Sequence, residues 1–478
     1  MRQKLLAVIG NGMATCRLLD ELCERGAHHR FDITVFGDEP GGAYNRILLG
    51  KVLGGAAPDQ IVTKPRDWYG TRGIHLHDRT VVSRLDTAAK QIETADGARH
   101  RYDTAVLATG SQPTVPPLDG MTVADGTLRP GVFVYRTMDD CTRMRAHARP
   151  GDSAVVLGGG LLGLEAAKVL ADRGLHVTVI HASKTLMNAQ LDELGGEMLE
   201  REIERCGIFV RTARTVEAVV GELVVEGVRL DDGKILAADM LVLACGVRPR
   251  IEVARASGIP INRGIIVNDA LATEAPGVYA IGECAEHAAR TYGIVTPAWE
   301  QAAVLADILS GAEPSARYRG SKLYTRLKVA GLEVASLGKV EPELESDEVI
   351  QVVETRRGSY RKMIVRDRKL VGALFVGNTE AAASLVQIFD RGDLLPADPL
   401  EALCPGAAFG AAAPADRLIC TCHKVGEARL CEAIAGGACT VEALGEATKA
   451  GTGCGSCKDN LAQLIARQPP APKLAAAG

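Results

Sequence analysis

The chain has 478 residues, of which 47% are apolar and 24% are charged, and its formal net charge is −4. This length implies three or four domains with ordinary hydrophobic cores, and the absence of basic clusters argues against a nucleic-acid partner. No charged leader precedes the first strand, and no apolar segment reaches the roughly 18 residues of a membrane span. We therefore expect a cytoplasmic protein without membrane contact.

A first dinucleotide-binding turn is predicted at the N-terminus, where the apolar strand 5–9 leads into two glycines and then a helical pattern. The first glycine permits a tight turn, and the second lets the backbone approach a pyrophosphate at the helix N-terminus. After the next strand, 32–36, an acidic residue is expected to bind a ribose hydroxyl. The candidate nucleotide-binding residues of this segment are Gly10, Gly12, Ala14, Asp38 and Glu39.

A second turn shows the complete Gly-x-Gly-x-x-Gly pattern, with an apolar strand before it and another after the helix that it opens. The glycines are Gly158, Gly160 and Gly163, and the flanking strands are 154–157 and 177–180. Two such turns imply two bound nucleotides, most simply FAD and a nicotinamide coenzyme. Residues 181–184 contain neither the acid typical of NAD sites nor the arginine pair typical of NADP sites, and we favour NADH.

The pattern changes after residue 318 to short strands separated by polar turns, followed by a helix at 380–391, which predicts a small antiparallel domain. A segment rich in small residues, 405–416, marks a further boundary. The predicted division is 1–115 with 246–317 as one domain, 116–245 as a second, 318–395 as a third, 396–416 as a linker, 417–467 as a fourth domain and 468–478 as a disordered tail.

Four cysteines near the C-terminus have the spacing of a metal-cluster site. Cys420 and Cys422 form one close pair, Cys454 and Cys457 form another, and 31 residues separate the pairs. Two thiolate pairs brought together by a folded segment can hold a [2Fe–2S] cluster, with two ligands for each iron. Zinc is the alternative, although zinc sites more often use C-x2-C at both ends.

Several segments resemble the pyridine-nucleotide-disulfide-oxidoreductase superfamily, specifically its ferredoxin-reductase-like flavoproteins without a redox disulfide. The A-T-G and G-x-[DE] motifs that flank FAD in this family are matched by Ala108-Thr109-Gly110 and, more loosely, by Gly282-Glu283. The resemblance implies an α/β fold with two Rossmann-like dinucleotide-binding domains for FAD and NAD(P), an α+β interface domain and a small helical [2Fe–2S] domain.

The resemblance also implies roles for individual residues. Segment 44–51 is similar to the Y-[DN]-R-x-x-L-x-K segment of the family, which makes Arg46 a cofactor-binding residue and places Lys51 near the flavin N5. By the same resemblance, Glu165 pairs with Lys51, and this pair is the candidate catalytic group. Gly246 corresponds to the turn that lines the nicotinamide pocket.

The C-terminal module is similar to the bacterioferritin-associated-ferredoxin type of [2Fe–2S] domain. With the preceding domains, it resembles the electron-transfer subunits of assimilatory nitrate reductases and the N-terminal part of NAD(P)H-dependent nitrite reductases. No recognisable sirohaem or molybdenum-cofactor segment is present. We therefore expect terminal reduction on a partner, namely a molybdenum-dependent nitrate reductase catalytic subunit or another terminal reductase.

The resulting hypothesis is an NAD(P)H-oxidising flavoprotein that passes electrons from NADH through FAD and a [2Fe–2S] cluster to that partner. Three alternatives remain open: the electron-donor part of a nitrite reductase, a stand-alone NAD(P)H:ferredoxin or rubredoxin reductase, and a non-enzymatic redox or metal sensor. The two nucleotide turns favour an enzyme over the sensor.

Overall fold

The computed structural model describes residues 3–329, 331–404, 416–420, 423–453, 455 and 457–467. Its contacts divide the chain into two compact units. The first contains Met1–Pro116, Val134–Ala146 and Cys245–Ser321, and the second contains Pro117–Phe133, His147–Ala244 and Lys322–Gly478. Among the described helices, none is both long and apolar enough to cross a bilayer. Most of the predicted linker and the whole predicted tail, residues 405–415 and 468–478, lie outside the described residues.

The first unit is built on a parallel five-stranded sheet. In spatial order its strands are Val278–Ala280, Thr104–Leu107, Lys4–Ile9, Phe31–Phe36 and Ile74–His77. The central strands are nearly continuous apolar runs because both faces of the sheet are covered. Helix Met13–Glu24 buries Leu18, Leu19 and Leu22 in the resulting core.

Shorter elements complete the first unit. Its other helices are Leu49–Leu53, Arg66–Gly70, Met138–His147, Glu252–Ala256 and Val295–Ser310. A three-stranded sheet consists of Val82–Asp86, Gln91–Thr94 and Arg99–Arg101. Paired short strands are Ala43–Tyr44 with Val62–Lys64, Ser111–Pro113 with Val247–Pro249, and Ile265–Val267 with Ala285–His287.

The second unit begins with another five-stranded sheet of the same type. Its order is Val132–Val134, Met240–Leu243, Ser153–Leu157, His176–Ile180 and Phe209–Arg211. Helices Leu161–Asp172 and Glu193–Arg205 follow the two central strands. A small antiparallel sheet consists of Val216–Val220, Gly227–Leu230 and Ile235–Ala237. The prediction of two Rossmann-like domains is confirmed, because each glycine turn joins a strand of a parallel sheet to a helix.

An antiparallel sheet follows in the second unit. Its order is Tyr324–Val329, Leu332–Gly338, Lys369–Val376, Ser359–Arg366 and Glu348–Glu354. Helices Ala382–Arg391 and Leu400–Leu403 come next in the chain, and both contribute to the core of this sheet. This is the antiparallel sheet that the short strands separated by polar turns predict for this segment.

The last described segment is small and mainly helical. Its helices are Glu427–Ala435, Val441–Thr448 and Lys458–Arg467, and a short hairpin pairs Leu418–Cys420 with Val425–Gly426. Leu430, Leu444 and Leu461 are fully buried in its core. A core of this size provides little stability alone. A bound metal centre would therefore contribute a large share of the folding stability of this segment.

Candidate functional site

The first glycine turn forms a backbone cradle at the start of helix Met13–Glu24. Gly10 has a φ of +107°, and a Cβ there would lie 2.1 Å from the carbonyl oxygen of Ala108, so that only glycine fits. Gly12 is the N-cap residue, and the space that a side chain would occupy there is open. The first amide groups of the helix can therefore bind an anion, which fits the pyrophosphate of a dinucleotide.

Two predicted site residues that are distant in sequence meet beside this cradle. A Cβ on Gly282 would lie 3.1 Å from the Cβ of Ala14. Gly282 has a φ of +84°, and its amide donates to the side-chain oxygen of Gln301 at 2.7 Å. The strand that ends before Gly282 is thus brought against the glycine turn, and a bulkier residue at either position would separate them.

The predicted acids after the second strand are held by arginine side chains. Glu39 accepts a hydrogen bond from the Tyr44 hydroxyl at 2.7 Å and forms an ion pair with Arg46. Arg46 also donates to the carbonyl oxygen of Arg136 at 2.8 Å. Burial raises the pKa of the Tyr44 phenol, so that it remains a protonated donor to Glu39. This arrangement fixes the position of the Arg46 guanidinium, a group that can bind a negatively charged cofactor group.

Asp38 and the A-T-G segment converge on a second arginine. Arg250 places its guanidinium 2.6 Å from the carboxylate of Asp38. The Thr109 hydroxyl donates to the backbone oxygen of Arg250 at 2.7 Å, and the following Gly110 has a φ of +69°. Sequence reasoning missed Arg250, because its partner lies more than 200 positions earlier in the chain.

Glu283 lies in a partly buried polar cluster that includes a further missed residue, Arg136. The Glu283 carboxylate pairs with Arg136 and accepts a hydrogen bond from Ser111, each at 2.5 Å. The Nε atom of Arg136 is buried and has no hydrogen-bond partner among the described residues. A buried guanidinium with unused donor capacity fits a site that binds a polar cofactor group.

The predicted catalytic pair falls on different units. Lys51 is exposed on the short helix Leu49–Leu53 of the first unit. Glu165 lies in helix Leu161–Asp172 of the second unit. Each residue therefore has a defined place in its own unit, and the pairing between them stays a prediction.

The second glycine turn repeats the geometry of the first. Gly158 has a φ of +124°, and a Cβ on Gly163 would lie 1.9 Å from the carbonyl oxygen of Gly158. Gly160 is the N-cap of helix Leu161–Asp172 and has open space around it. These are the features that a bound pyrophosphate requires. Gly246, the predicted pocket residue, has a φ of +92° and belongs to the first unit.

Two of the four predicted cluster ligands are described. Cys420 and Cys457 are buried in the core of the C-terminal helical segment, whereas Cys422 and Cys454 lie outside the described residues. The loops that carry the two pairs are in contact, because the Thr452 hydroxyl lies 3.3 Å from Nε2 of His423. The described residues thus bring the two cysteine-bearing loops together, as four ligands for one small cluster require.

Three family models match successive parts of the chain. Residues 4–302 match the model described as pyridine nucleotide-disulphide oxidoreductase, residues 324–392 match the rubredoxin NAD+ reductase C-terminal domain, and residues 418–467 match the BFD-like [2Fe-2S] binding domain. The first match covers more than half of the chain. The chain therefore belongs to the pyridine nucleotide-disulphide oxidoreductase family and carries a C-terminal [2Fe–2S] domain.

Curated relatives and solved structures agree with this assignment. The chain is 38% identical to a nitrite reductase [NAD(P)H] of Bacillus subtilis (strain 168), and the alignment covers 97% of this chain and 58% of that protein. It is 37% identical to the assimilatory nitrate reductase electron transfer subunit of the same organism, over 97% of this chain and 60% of that protein. The chain thus spans about three fifths of the length of these relatives.

The fold is also similar to that of putidaredoxin reductase in its covalent complex with putidaredoxin. The TM-score is 0.75 and the sequences are 24% identical, over 85% of this chain and 97% of that one. The predicted fold class, the assignment as an NAD(P)H-dependent oxidoreductase, and the cofactors FAD, NAD(P)H and a [2Fe–2S] cluster are confirmed by the family matches.

Proposed function

We propose that this chain is the electron-transfer subunit of an assimilatory nitrate reductase, which oxidises NADH and delivers electrons to a partner that carries a molybdenum centre. The observation that carries this proposal is the combination, in one chain, of two dinucleotide turns with a C-terminal [2Fe–2S] domain. The Bacillus subtilis (strain 168) relative with the printed name electron transfer subunit aligns over 97% of the chain.

In this proposal the first unit binds FAD. The backbone amides that follow Gly12 would bind the pyrophosphate of FAD. The cluster of Glu283, Arg136 and Ser111 would form hydrogen bonds with the hydroxyl groups of the ribityl chain of FAD. Arg46 is fixed by Glu39 and would contribute positive charge towards the phosphates. Bound FAD accepts two electrons together from a nicotinamide and releases them one at a time, which suits a one-electron centre as the next acceptor.

The second unit would bind the coenzyme and the cluster. The turn at Gly158, Gly160 and Gly163 would receive the coenzyme pyrophosphate, and Cys420, Cys422, Cys454 and Cys457 would bind the two irons. Lys51 and Glu165 are proposed as a pair in which the carboxylate orients the ammonium. The Lys51 ammonium would then stabilise negative charge on the reduced cofactor.

A second candidate function is electron donation within a nitrite reductase. It is favoured by the 38% identity to the Bacillus subtilis (strain 168) nitrite reductase, of which the chain spans 58%. The two functions share the first electron-transfer steps and differ only in the terminal acceptor. The identity of the partner protein therefore distinguishes the two functions, whereas the residues described above are compatible with both.

The test is reconstitution with defined acceptors. The purified chain, loaded with FAD and iron–sulfur cluster, is mixed with NADH and with a nitrate reductase catalytic subunit or a nitrite reductase catalytic domain from the same source. NADH-dependent loss of nitrate supports the main proposal, and loss of nitrite only with the second partner supports the alternative. Turnover with ferredoxin or rubredoxin alone indicates a stand-alone reductase, and no NADH oxidation with ferricyanide indicates a sensor.

A further inference from the structure

A hydrogen bond between His423 and Thr452 joins the two loops that carry the cysteine pairs. His423 directly follows Cys422, and Thr452 precedes Cys454 by two positions. Nε2 of the His423 ring lies 3.3 Å from the hydroxyl oxygen of Thr452. This contact therefore connects the chain beside one predicted ligand of each pair, across the 31-residue segment that separates the two pairs.

The direction of this hydrogen bond follows from a second contact of the Thr452 hydroxyl. A threonine hydroxyl has one proton, and Thr452 donates it to the carbonyl oxygen of Lys449 at 2.7 Å. The same oxygen can therefore only accept from His423, and Nε2 of the imidazole must carry a proton that it donates. A residue at position 423 that has an N–H group can preserve this bond, whereas an apolar residue cannot.

The Thr452 side chain is fixed against the end of helix Val441–Thr448. Lys449, which accepts from the Thr452 hydroxyl, ends this helix with a φ of +65°, and its own amide donates to the carbonyl oxygen of Gly445 at 2.8 Å. A Cβ on Gly445 would lie 3.0 Å from Cγ2 of Thr452, so that the glycine leaves the space that the Thr452 methyl group occupies. Contacts of both the hydroxyl and the methyl group thus determine where the acceptor for His423 lies.

His423 is fixed in a comparable way from the other side. It lies in the turn of the short hairpin formed by Leu418–Cys420 and Val425–Gly426. Cys420 pairs with Val425 in this hairpin, and both side chains are buried in the core of the C-terminal helical segment. The donor and the acceptor are therefore both carried by parts of the chain that protein contacts hold in place, without a metal ion.

From these contacts we infer that His423 and Thr452 are positioning residues of the cluster site, whose hydrogen bond holds the two cysteine-bearing loops together before iron binds. Bringing together ligands that are 31 residues apart costs conformational entropy. A site in which the protein already makes that closure binds its metal centre more tightly, because less ordering remains to be done on binding. The inference rests on the proposed function only in that the four cysteines bind the cluster.

The experiment follows loss of the cluster from the full-length holoprotein in excess EDTA, by the visible absorbance of the cluster and by the iron released. Thr452→Val keeps the volume and a methyl group but removes the acceptor oxygen, and His423→Leu removes the donor. Each should lose the cluster about threefold to tenfold faster than the parent, as expected for one hydrogen bond. The double variant should be no faster than either single variant, because both remove the same bond.

Conservative variants separate this hydrogen bond from a general effect on packing. Thr452→Ser keeps the hydroxyl and His423→Gln keeps an N–H donor, and both should lose the cluster within about twofold of the parental rate. Gln463→Leu, at an exposed position of helix Lys458–Arg467, is the matched control for a polar residue replaced by leucine and should not change the rate.

The inference is overturned if Thr452→Val and His423→Leu lose the cluster at the parental rate, or if the conservative variants are as fast as the apolar ones. If Thr452→Val does not fold, the comparison of His423→Gln with His423→Leu decides alone. A folded parent that contains neither iron nor sulfide would instead remove the cluster and, with it, the proposed function. A parent that contains the cluster, with variants that all behave alike, would remove only the inference.

Discussion

Lys362 and Asp192 form a buried ion pair that joins two domains of the second unit. The ammonium of Lys362 lies 2.9 Å from the Asp192 carboxylate, and their side chains are only 4% and 6% exposed. Asp192 is also the N-cap of helix Glu193–Arg205 and accepts a hydrogen bond from the Tyr360 hydroxyl at 2.6 Å. The Asp192 carboxylate thus caps a helix of the nucleotide-binding domain and also binds two side chains of the antiparallel sheet.

Removal of the lysine charge from this pair should strongly destabilise the second unit. Lys362→Met retains most of the side-chain volume but leaves the Asp192 carboxylate buried beside fewer donors, and we expect a loss of about 3 kcal/mol in the free energy of unfolding. The control is Lys339→Met in the exposed pair with Glu343, where the loss should stay below about 1 kcal/mol. Urea titration measures both, and equal losses would contradict the prediction.

Glu283→Gln should weaken cofactor retention and stability together. The substitution leaves the Arg136 guanidinium, which is 14% exposed, without its carboxylate partner. We expect the free energy of unfolding of the first unit to fall by about 2 kcal/mol, and we expect a lower flavin content after gel filtration. Asp139→Asn, in the exposed pair with Arg143, is the matched control and should change neither quantity. A Glu283→Gln protein with parental flavin content would remove Glu283 from the proposed cofactor site.

Lys51→Ala tests the proposed catalytic pair. If the Lys51 ammonium stabilises charge on the reduced cofactor, stopped-flow reduction of the bound flavin by NADH should slow by about tenfold to a hundredfold. Glu165→Gln should slow the same step by a smaller factor, because it affects orientation only. Lys4→Ala, another exposed lysine of the first unit, should leave the rate unchanged. Flavin reduction at the parental rate in the Lys51→Ala variant would show that Lys51 and Glu165 do not act as a catalytic pair.

Cys420→Ser should abolish the [2Fe–2S] absorbance while the flavin spectrum remains. Loss of one thiolate from four removes the cluster, and the small C-terminal core should then unfold at a lower temperature. Cys439→Ser, at an exposed position between the two pairs, is the control and should retain iron. Metal analysis that finds zinc and no iron in the parent would decide against the cluster.

Stability at acid pH should depend on Asp347. Its hydrogen bonds with Arg366, at 2.6 Å and 2.9 Å, hold the pKa of the Asp347 carboxyl well below its usual range. A carboxyl with a lowered folded-state pKa stabilises the fold above its unfolded pKa, and that contribution is lost as the pH falls through the folded value. The difference in stability between the parent and Asp347→Asn should therefore be full at neutral pH and shrink below about pH 4. A stability difference that stays the same from neutral to acid pH would show that the Asp347 carboxylate does not stabilise the fold in this way.

Local sequence patterns predict most of the regular structure. The strands around both glycine turns are found within one residue of the expected bounds, as at His176–Ile180 and Ser153–Leu157. Such elements are predictable because apolar periodicity and glycine geometry act over a few neighbouring residues. The antiparallel strands after residue 323 are also found in the segment where short strands are expected, although Leu332–Gly338 and Ser359–Arg366 extend beyond the apolar runs.

Contacts between distant residues were not predictable in the same way. Arg136 and Arg250 reach acids 147 and 212 positions away, and nothing in the local sequence marks either arginine. A partial signal did exist for the packing of the second turn, where a Cβ on Gly159 would lie 2.9 Å from Cγ of His181. The unusual glycine at position 159, between two fingerprint glycines, indicates that some other group must lie against that backbone.

The interrupted chain path of the first unit has a consequence for biosynthesis. Its sheet is completed only when Val278–Ala280 pairs with Thr104–Leu107, after the whole of segment 147–244 has been made. An emerging polypeptide therefore exposes the edge of Thr104–Leu107 to solvent while the ribosome extends the second unit. Chaperone binding during translation should be most persistent over that interval, and it should end once the late strand leaves the exit tunnel.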